Sequence, residues 1–150
     1  MASSEQHDHA GHDHVWADDL TRNQELVLGT LAHATAPMSA YDILDKLRDD
    51  GLRAPLQVYR ALEKLTERGL AHRLESVNAF VCCANAHCHE SGSTAFAICD
   101  KCGRVEEFAE RAVEHKLMGW SKSAGFTPSR MTIELRGICR DCSGAFPGKV

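Results

Sequence analysis

The stretch "APLQVYRALEKLTERGLAHRLESVNAFVCC", residues 54–83, changes its hydrophobic period midway. Up to Arg68 the apolar residues recur at helical spacing, and after Gly69 they alternate. Pro55 suits a first helical turn and Gly69 a helix end. Winding residues 56–68 at about 100° each gathers Val58, Leu62 and Leu65 on one side. Gln57, Arg60, Lys64 and Arg68 fall on the other side. The runs "LAHRLES" and "NAFVCC" then read as two short strands joined by a turn near Val77 and Asn78. A helix followed directly by a hairpin is the arrangement of a recognition helix and its wing.

Upstream, residues 18–34 predict a helix with Leu20, Val27, Leu28 and Leu31 on its apolar side. "APMSAYDILDKLRDDG" predicts a second, with Ser39 as N-cap, Ile43, Leu44 and Leu47 buried, and Gly51 as the stop. Three helices, the last two joined by a short turn, make a helix-turn-helix. Downstream, "TAFAIC" and "GRVEEF" read as strands on either side of Cys99 and Cys102. A helix is expected over 110–124, with Val113, Leu117 and Trp120 along one side, and "RMTIELRGIC" reads as a strand delivering Cys139. The fold class is therefore α+β. The divisions expected are a His-rich, disordered tail (1–17), a winged helix-turn-helix DNA-binding domain (18–84), a hinge (85–93) and a small α+β domain (94–150).

The 150 residues carry a net charge of −4, which at first argues against a nucleic-acid partner. The distribution reverses this. Of the 21 acids, five stand within residues 1–19, which hold no Lys or Arg, so 16 remain against all 17 bases. Residues 53–73 carry five bases and two acids. Local sign decides what a surface attracts. On the third helix, Arg60 can bond guanine bidentately, Gln57 can bond adenine, and Lys64 can neutralise phosphate. Tyr41, at the start of the second helix, is placed for a phosphate contact, and Tyr59 joins the same DNA-binding set. Read alone, this helix face favours a solvated role, balanced by Glu63 and Glu67; the wing and the local charge raise DNA binding above it.

No stretch is long and apolar enough to span a membrane, and the N-terminus lacks a basic start followed by an apolar run. A cytoplasmic location is expected. There, seven cysteines read as metal ligands before disulfides. Two Cys-x-x-Cys pairs, Cys99/Cys102 and Cys139/Cys142, supply the four thiolates of a tetrahedral structural zinc. The 36 residues between the pairs must hold a folded unit. A thioredoxin-type redox pair would open a helix, whereas "CDKCGRVEEF" opens a strand.

A second cluster, "VCCANAHCHE" (81–90), lies on the boundary between the two halves, where a bound metal could fix their relative orientation. "HDHAGHDH" (7–14) places His7, His9, His12 and His14 in the tail, a pattern open to weak metal capture or to plain solvation. His33 and His115 read as ordinary surface or core residues. An enzymatic alternative rests on "CHE" (88–90) followed by Cys-x-x-Cys, a faint match to a zinc-dependent deaminase. That signature wants Pro where Ile98 stands, and Cys99 and Cys102 already have thiolate partners.

"SAYDILDKL", "VYRALEKL", "AHRLESVNAFVCC", "ICDKCGRVEEF" and "ICRDC" together resemble the ferric-uptake-regulator family, in its zinc-responsive branch, over about residues 18–145. The resemblance implies a dimeric winged-helix repressor with a C-terminal dimerisation domain, and no enzymatic activity. It implies structural zinc on Cys99, Cys102, Cys139 and Cys142, and a second, regulatory zinc on His72, Cys83 and Glu107, completed by His89 or alternatively His87. Its DNA-reading positions fall on Tyr41 and Arg60. Its expected partners are palindromic double-stranded operator DNA and a second copy of the chain, without membrane or small-molecule substrate. Other members of the family respond to iron, manganese or peroxide. Cys83 favours zinc, since a thiolate suits zinc and iron sensors rely on nitrogen and oxygen donors. Cys82 and Cys83 point to opposite faces of a strand, so at most one ligates. The segment from Ala84 to Thr94, with its extra Cys88, and "LTRNQ", which lacks the usual Pro after "LT", depart from the family pattern.

Overall fold

A computed structural model describes residues 19–84 and 93–144. The tail, with its four histidines, and Cys88, His87 and His89 lie outside the described residues. Three helices open the chain: α1 (Arg22–Ala32), α2 (Ala40–Leu47) and α3 (Pro55–Glu67). α1 begins later than its apolar pattern suggests because Thr21 caps it. The Thr21 side chain accepts from the Gln24 N–H, and the Gln24 side chain accepts in return from the Thr21 N–H. The "LTRNQ" sequence thus holds a capping box. Ser39 and Asp42 form the same device at α2. Gly51 (φ 102°) ends the turn between α2 and α3, a backbone region that favours glycine.

Val27, Leu31, Ile43, Leu44, Leu47, Leu52, Val58, Leu62 and Leu65 fill the core shared by the three helices. The hairpin follows: β1 (Ala71–Leu74) and β2 (Ala79–Cys82), joined by a 3₁₀ turn, Glu75–Val77, with Asn78 in the left-handed region (φ 47°). Asn is one of the few side-chain-bearing residues that tolerate this conformation. Phe80 and Met38 exchange backbone hydrogen bonds of 2.8 and 3.0 Å, tying the hairpin to the loop before α2.

The C-terminal half holds β3 (Ser93–Cys99), β4 (Val105–Phe108), α4 (Arg111–Ser123), β5 (Met131–Gly137) and one helical turn, Arg140–Ser143. The sheet order is β4-β3-β5, with β4 antiparallel and β5 parallel to β3. Pairing of Ser93 with Met131 draws β3 one residue into the expected hinge. A second core cluster joins the halves. Leu74 of the wing is buried with Phe96 and Ile98 of the sheet, and Val77, Val81 and Val105 pack around them. No described helix is long and apolar enough to cross a membrane. Among the described residues, the apolar side of α4 is left uncovered: Val113, Leu117 and Trp120 are exposed, as are Met118, Phe126, Leu135 and Ile138 nearby in sequence.

Candidate metal centres and DNA-reading surface

Cys99 ends β3, Cys102 closes the turn before β4, Cys139 caps the helical turn after β5, and Cys142 lies within that turn. Their Sγ atoms all lie within 4.8 Å of one another. Cys102 Sγ and Cys139 Sγ are 3.7 Å apart. Tetrahedral zinc at its usual bond length of about 2.3 Å separates its sulfur ligands by about 3.8 Å, so the pair is spaced as a zinc site requires. The Cys102 and Cys139 N–H groups donate to Cys99 Sγ at 3.5 and 3.3 Å. These bonds pull the Cys99 thiol down to about 6. The Cys142 thiol, hydrogen-bonded to Cys139 and Cys102, is pushed up to about 12. Arg104 pairs with Asp141 at 2.8 Å and Lys101 Nζ donates to the Cys142 carbonyl at 3.4 Å, which places cations beside the thiol cluster.

The second centre draws on both halves. His72 is in β1, Cys83 follows β2, and Glu107 is in β4. One donor atom from each lies within 4.8 Å of the others. The hairpin register explains the selection. Ala71 faces Cys82 and His72 faces Val81, and the Cys83 N–H donates to the Leu70 carbonyl at 2.9 Å. Strand alternation therefore puts His72 and Cys83 on one face and Cys82 on the other. Cys82 packs against the helical core, where burial, helped by the Glu107 charge, pushes its thiol up. Glu107 Oε1 stands 3.9 Å from Cys83 Sγ, and Glu107 Oε2 accepts from the Ala84 N–H at 3.0 Å. The His72 ring leans on Phe96 (5.4 Å between ring centres), which fixes its position. Nitrogen, sulfur and carboxylate donors together suit zinc. Beside this cluster, a cavity of about 330 Å³ opens between the end of α1 and the sheet. His33 and His115 have no part in either cluster; His33 Nδ1 is instead 2.7 Å from the Gly29 carbonyl of its own helix.

On α3 the core side is Val58, Ala61, Leu62 and Leu65. Arg60, Tyr59 and Lys64 are exposed, and Lys64 pairs with Glu67 at 2.9 Å. Tyr41, at the start of α2, is 61% exposed. Gln57 is put to another use: its Oε1 accepts from the Arg53 and Ala54 N–H groups at 2.8 and 3.1 Å, closing the start of a helix whose cap position is Ala54. A bidentate bond to adenine needs that oxygen free. The residue standing most directly opposite the core in the first turn is Leu56, 57% exposed. On the helical wheel it stands opposite Val58 and Leu65.

The sequence model of the ferric uptake regulator family matches residues 19–136. The chain belongs to the ferric uptake regulator family. The zinc uptake regulation protein of Escherichia coli (strain K12) is 36% identical over 124 residues, covering 82% of this chain and 72% of that protein. Among solved structures, holo XcZur aligns at a TM-score of 0.75 with 41% identity, covering 84% of this chain and 87% of that one. A zinc uptake regulator complexed with zinc and DNA aligns equally well, at a TM-score of 0.75 with 35% identity over 84% of each chain. The Helicobacter pylori ferric uptake regulator, at a TM-score of 0.56 and 21% identity, shares the fold. The family membership and the α+β architecture expected from the motifs both stand.

Proposed function

We propose that this chain is a cytoplasmic, zinc-dependent transcriptional repressor that binds palindromic operator DNA as a homodimer and represses zinc-uptake genes. The observation that carries the reading is the convergence of His72 and Cys83 from the wing with Glu107 from the other half. The relatives named for zinc uptake regulation support the choice of signal and of genes. Each chain would hold two zinc ions. Cys99, Cys102, Cys139 and Cys142 would hold the structural one, and His72, Cys83, Glu107 and His89 the regulatory one. Zinc supplies a doubly charged Lewis acid that satisfies all of these donors at once. With His72 and Cys83 tied to Glu107, the wing and α3 keep one orientation against the sheet. Two such chains then present their recognition helices at a fixed spacing, which a palindrome matches. Tyr41, Tyr59, Arg60 and Lys64 would face the DNA.

An iron-, manganese- or peroxide-responsive role is disfavoured by the Cys83 thiolate. Catalysis is disfavoured as well, since four thiolates fill a tetrahedral shell and leave no open position for substrate. DNA selected from a random pool by the zinc-loaded protein, then titrated under buffered free zinc, iron and manganese, tests the reading. Binding should require zinc; equal binding under iron or manganese would refute the choice of metal.

A further inference from the structure

The wing is fastened to the sheet at a second place, the turn at its tip. Glu134 of β5 reaches the 3₁₀ turn of the wing. Its Oε1 accepts from the Glu75 N–H at 2.7 Å and its Oε2 from the Ser76 N–H at 3.0 Å. These two donors begin the turn and have no partner inside it. Partial burial opposes the charge of this carboxyl, but the bonds from Ser76 and Glu75 outweigh that and hold it below the usual carboxylate range. It accepts as a charged group, the stronger kind of bond.

The sheet register relates Glu134 to the metal centre. Phe96 of β3 faces Glu107 on β4 and Glu134 on β5. Residues directly opposite one another share a face of the sheet. Glu107, Phe96 and Glu134 therefore form one row across it, pointing at the wing. Phe96 packs with Leu74 in the middle, Glu107 reaches the wing's base at Ala84, and Glu134 reaches its tip. Glu107 is itself a metal donor and Phe96 packs against the ring of His72, whereas Glu134 bonds to Glu75 and Ser76, which are not donors.

We propose that Glu134 is a positioning residue, a metal-independent latch that holds the wing against the sheet and thereby sets the zinc concentration at which the protein switches. The inference rests on the zinc-dependent DNA binding argued above. If the latch populates the closed arrangement before regulatory zinc binds, less zinc is needed to complete the shift. By linkage, loss of the latch weakens regulatory zinc binding by the same factor that it lowers the closed population.

The test uses the full-length protein with its structural zinc retained, comparing Glu134→Ala and Glu134→Gln with the parent chain. The probe is the DNA duplex selected by the zinc-loaded parent. Glu134→Ala should raise the free zinc needed for half-maximal binding about tenfold, the scale of one charge-assisted hydrogen bond. Glu134→Gln keeps an acceptor oxygen and should raise it less. Affinity for the duplex at saturating zinc should stay unchanged, as should the structural zinc content. An unchanged zinc requirement in Glu134→Ala overturns the proposal, and so does an equal loss of affinity at saturating zinc, which would mark damage to the fold. A second readout involves neither DNA nor regulatory zinc: amide exchange at Glu75 and Ser76 with only structural zinc bound. Exchange at least tenfold faster in Glu134→Ala supports the latch, and equal exchange overturns it. If DNA binding proves indifferent to zinc in the parent chain, the proposed function fails, while the exchange measurement still decides whether the latch exists.

Discussion

Cys82 and Cys83 are identical in chemistry and adjacent in sequence, yet strand alternation gives them different surroundings. Cys83 shares a donor cluster with His72 and Glu107, whereas Cys82 packs against the helical core. Cys83→Ser should lower zinc content from two ions per chain to one and leave the fold intact. Cys82→Ser should keep both ions and instead lower stability by about 1 kcal/mol or more, since it puts a hydroxyl into an apolar site. Cys102→Ser should abolish folding of the C-terminal half, because structural zinc contributes about 10–16 kcal/mol to small domains. Metal analysis with thermal melting separates the three. Two zincs retained in Cys83→Ser would remove that residue from the regulatory site. The four-thiol cluster was legible in the spacing of its Cys-x-x-Cys pairs. His72 and Glu107 were not legible from spacing: they lie on separate strands, and only family resemblance singled them out before the fold brought them together.

At the scale of elements, α3 divides its residues between packing, capping and DNA. Arg60→Ala should weaken binding to the selected duplex by about 1–3 kcal/mol and relax preference at one base pair, as a base-reading arginine does. Equal loss on all sequences would make Arg60 a phosphate contact. Gln57→Ala should lower thermal stability by about 1 kcal/mol through the lost cap and leave base preference unchanged; a changed preference would restore Gln57 to the reading set. Most elements could be read because their signals are local: Ser39, Pro55, Gly51 and Gly69 mark helix limits, and Asn78 marks the wing turn. The start of α1 was misplaced because Thr21 and Gln24 interact through side chains that hydrophobic periodicity does not register. The parallel pairing of β3 with β5 and the reach of Glu134 across 59 residues to Glu75 are non-local, so no window of sequence contains them.

At the scale of the whole molecule, two parts of the sequence call for tests on the full-length protein. One is the tail. Residues 1–15 carry four histidines and no cysteine, so a zinc site built there would lack a thiolate. Deleting them should leave the zinc requirement for DNA binding unchanged within a factor of a few, and a tenfold rise would place the tail in the sensor. The other part is apolar surface. The side of α4 bearing Val113, Leu117 and Trp120 has the spacing of a packed helix, yet Trp120 remains 62% exposed and Leu117 41%. β5 lies at an edge of its sheet, with Leu135 of the same strand 56% exposed. Isolated exposed apolar residues are ordinary, but several large ones concentrated in a single half of a small protein mark an interface. A second copy of the chain is the occupant that a palindromic site requires. Leu117→Asp puts a charge where the partner's apolar surface would press, and burying an unpaired charge is far more costly than exposing one. The variant should sediment as a monomer at micromolar concentration, keep its structural zinc, and bind a half-site about as well as the full palindrome. A Leu117→Asp protein that stayed dimeric and still preferred the palindrome would move the interface off α4.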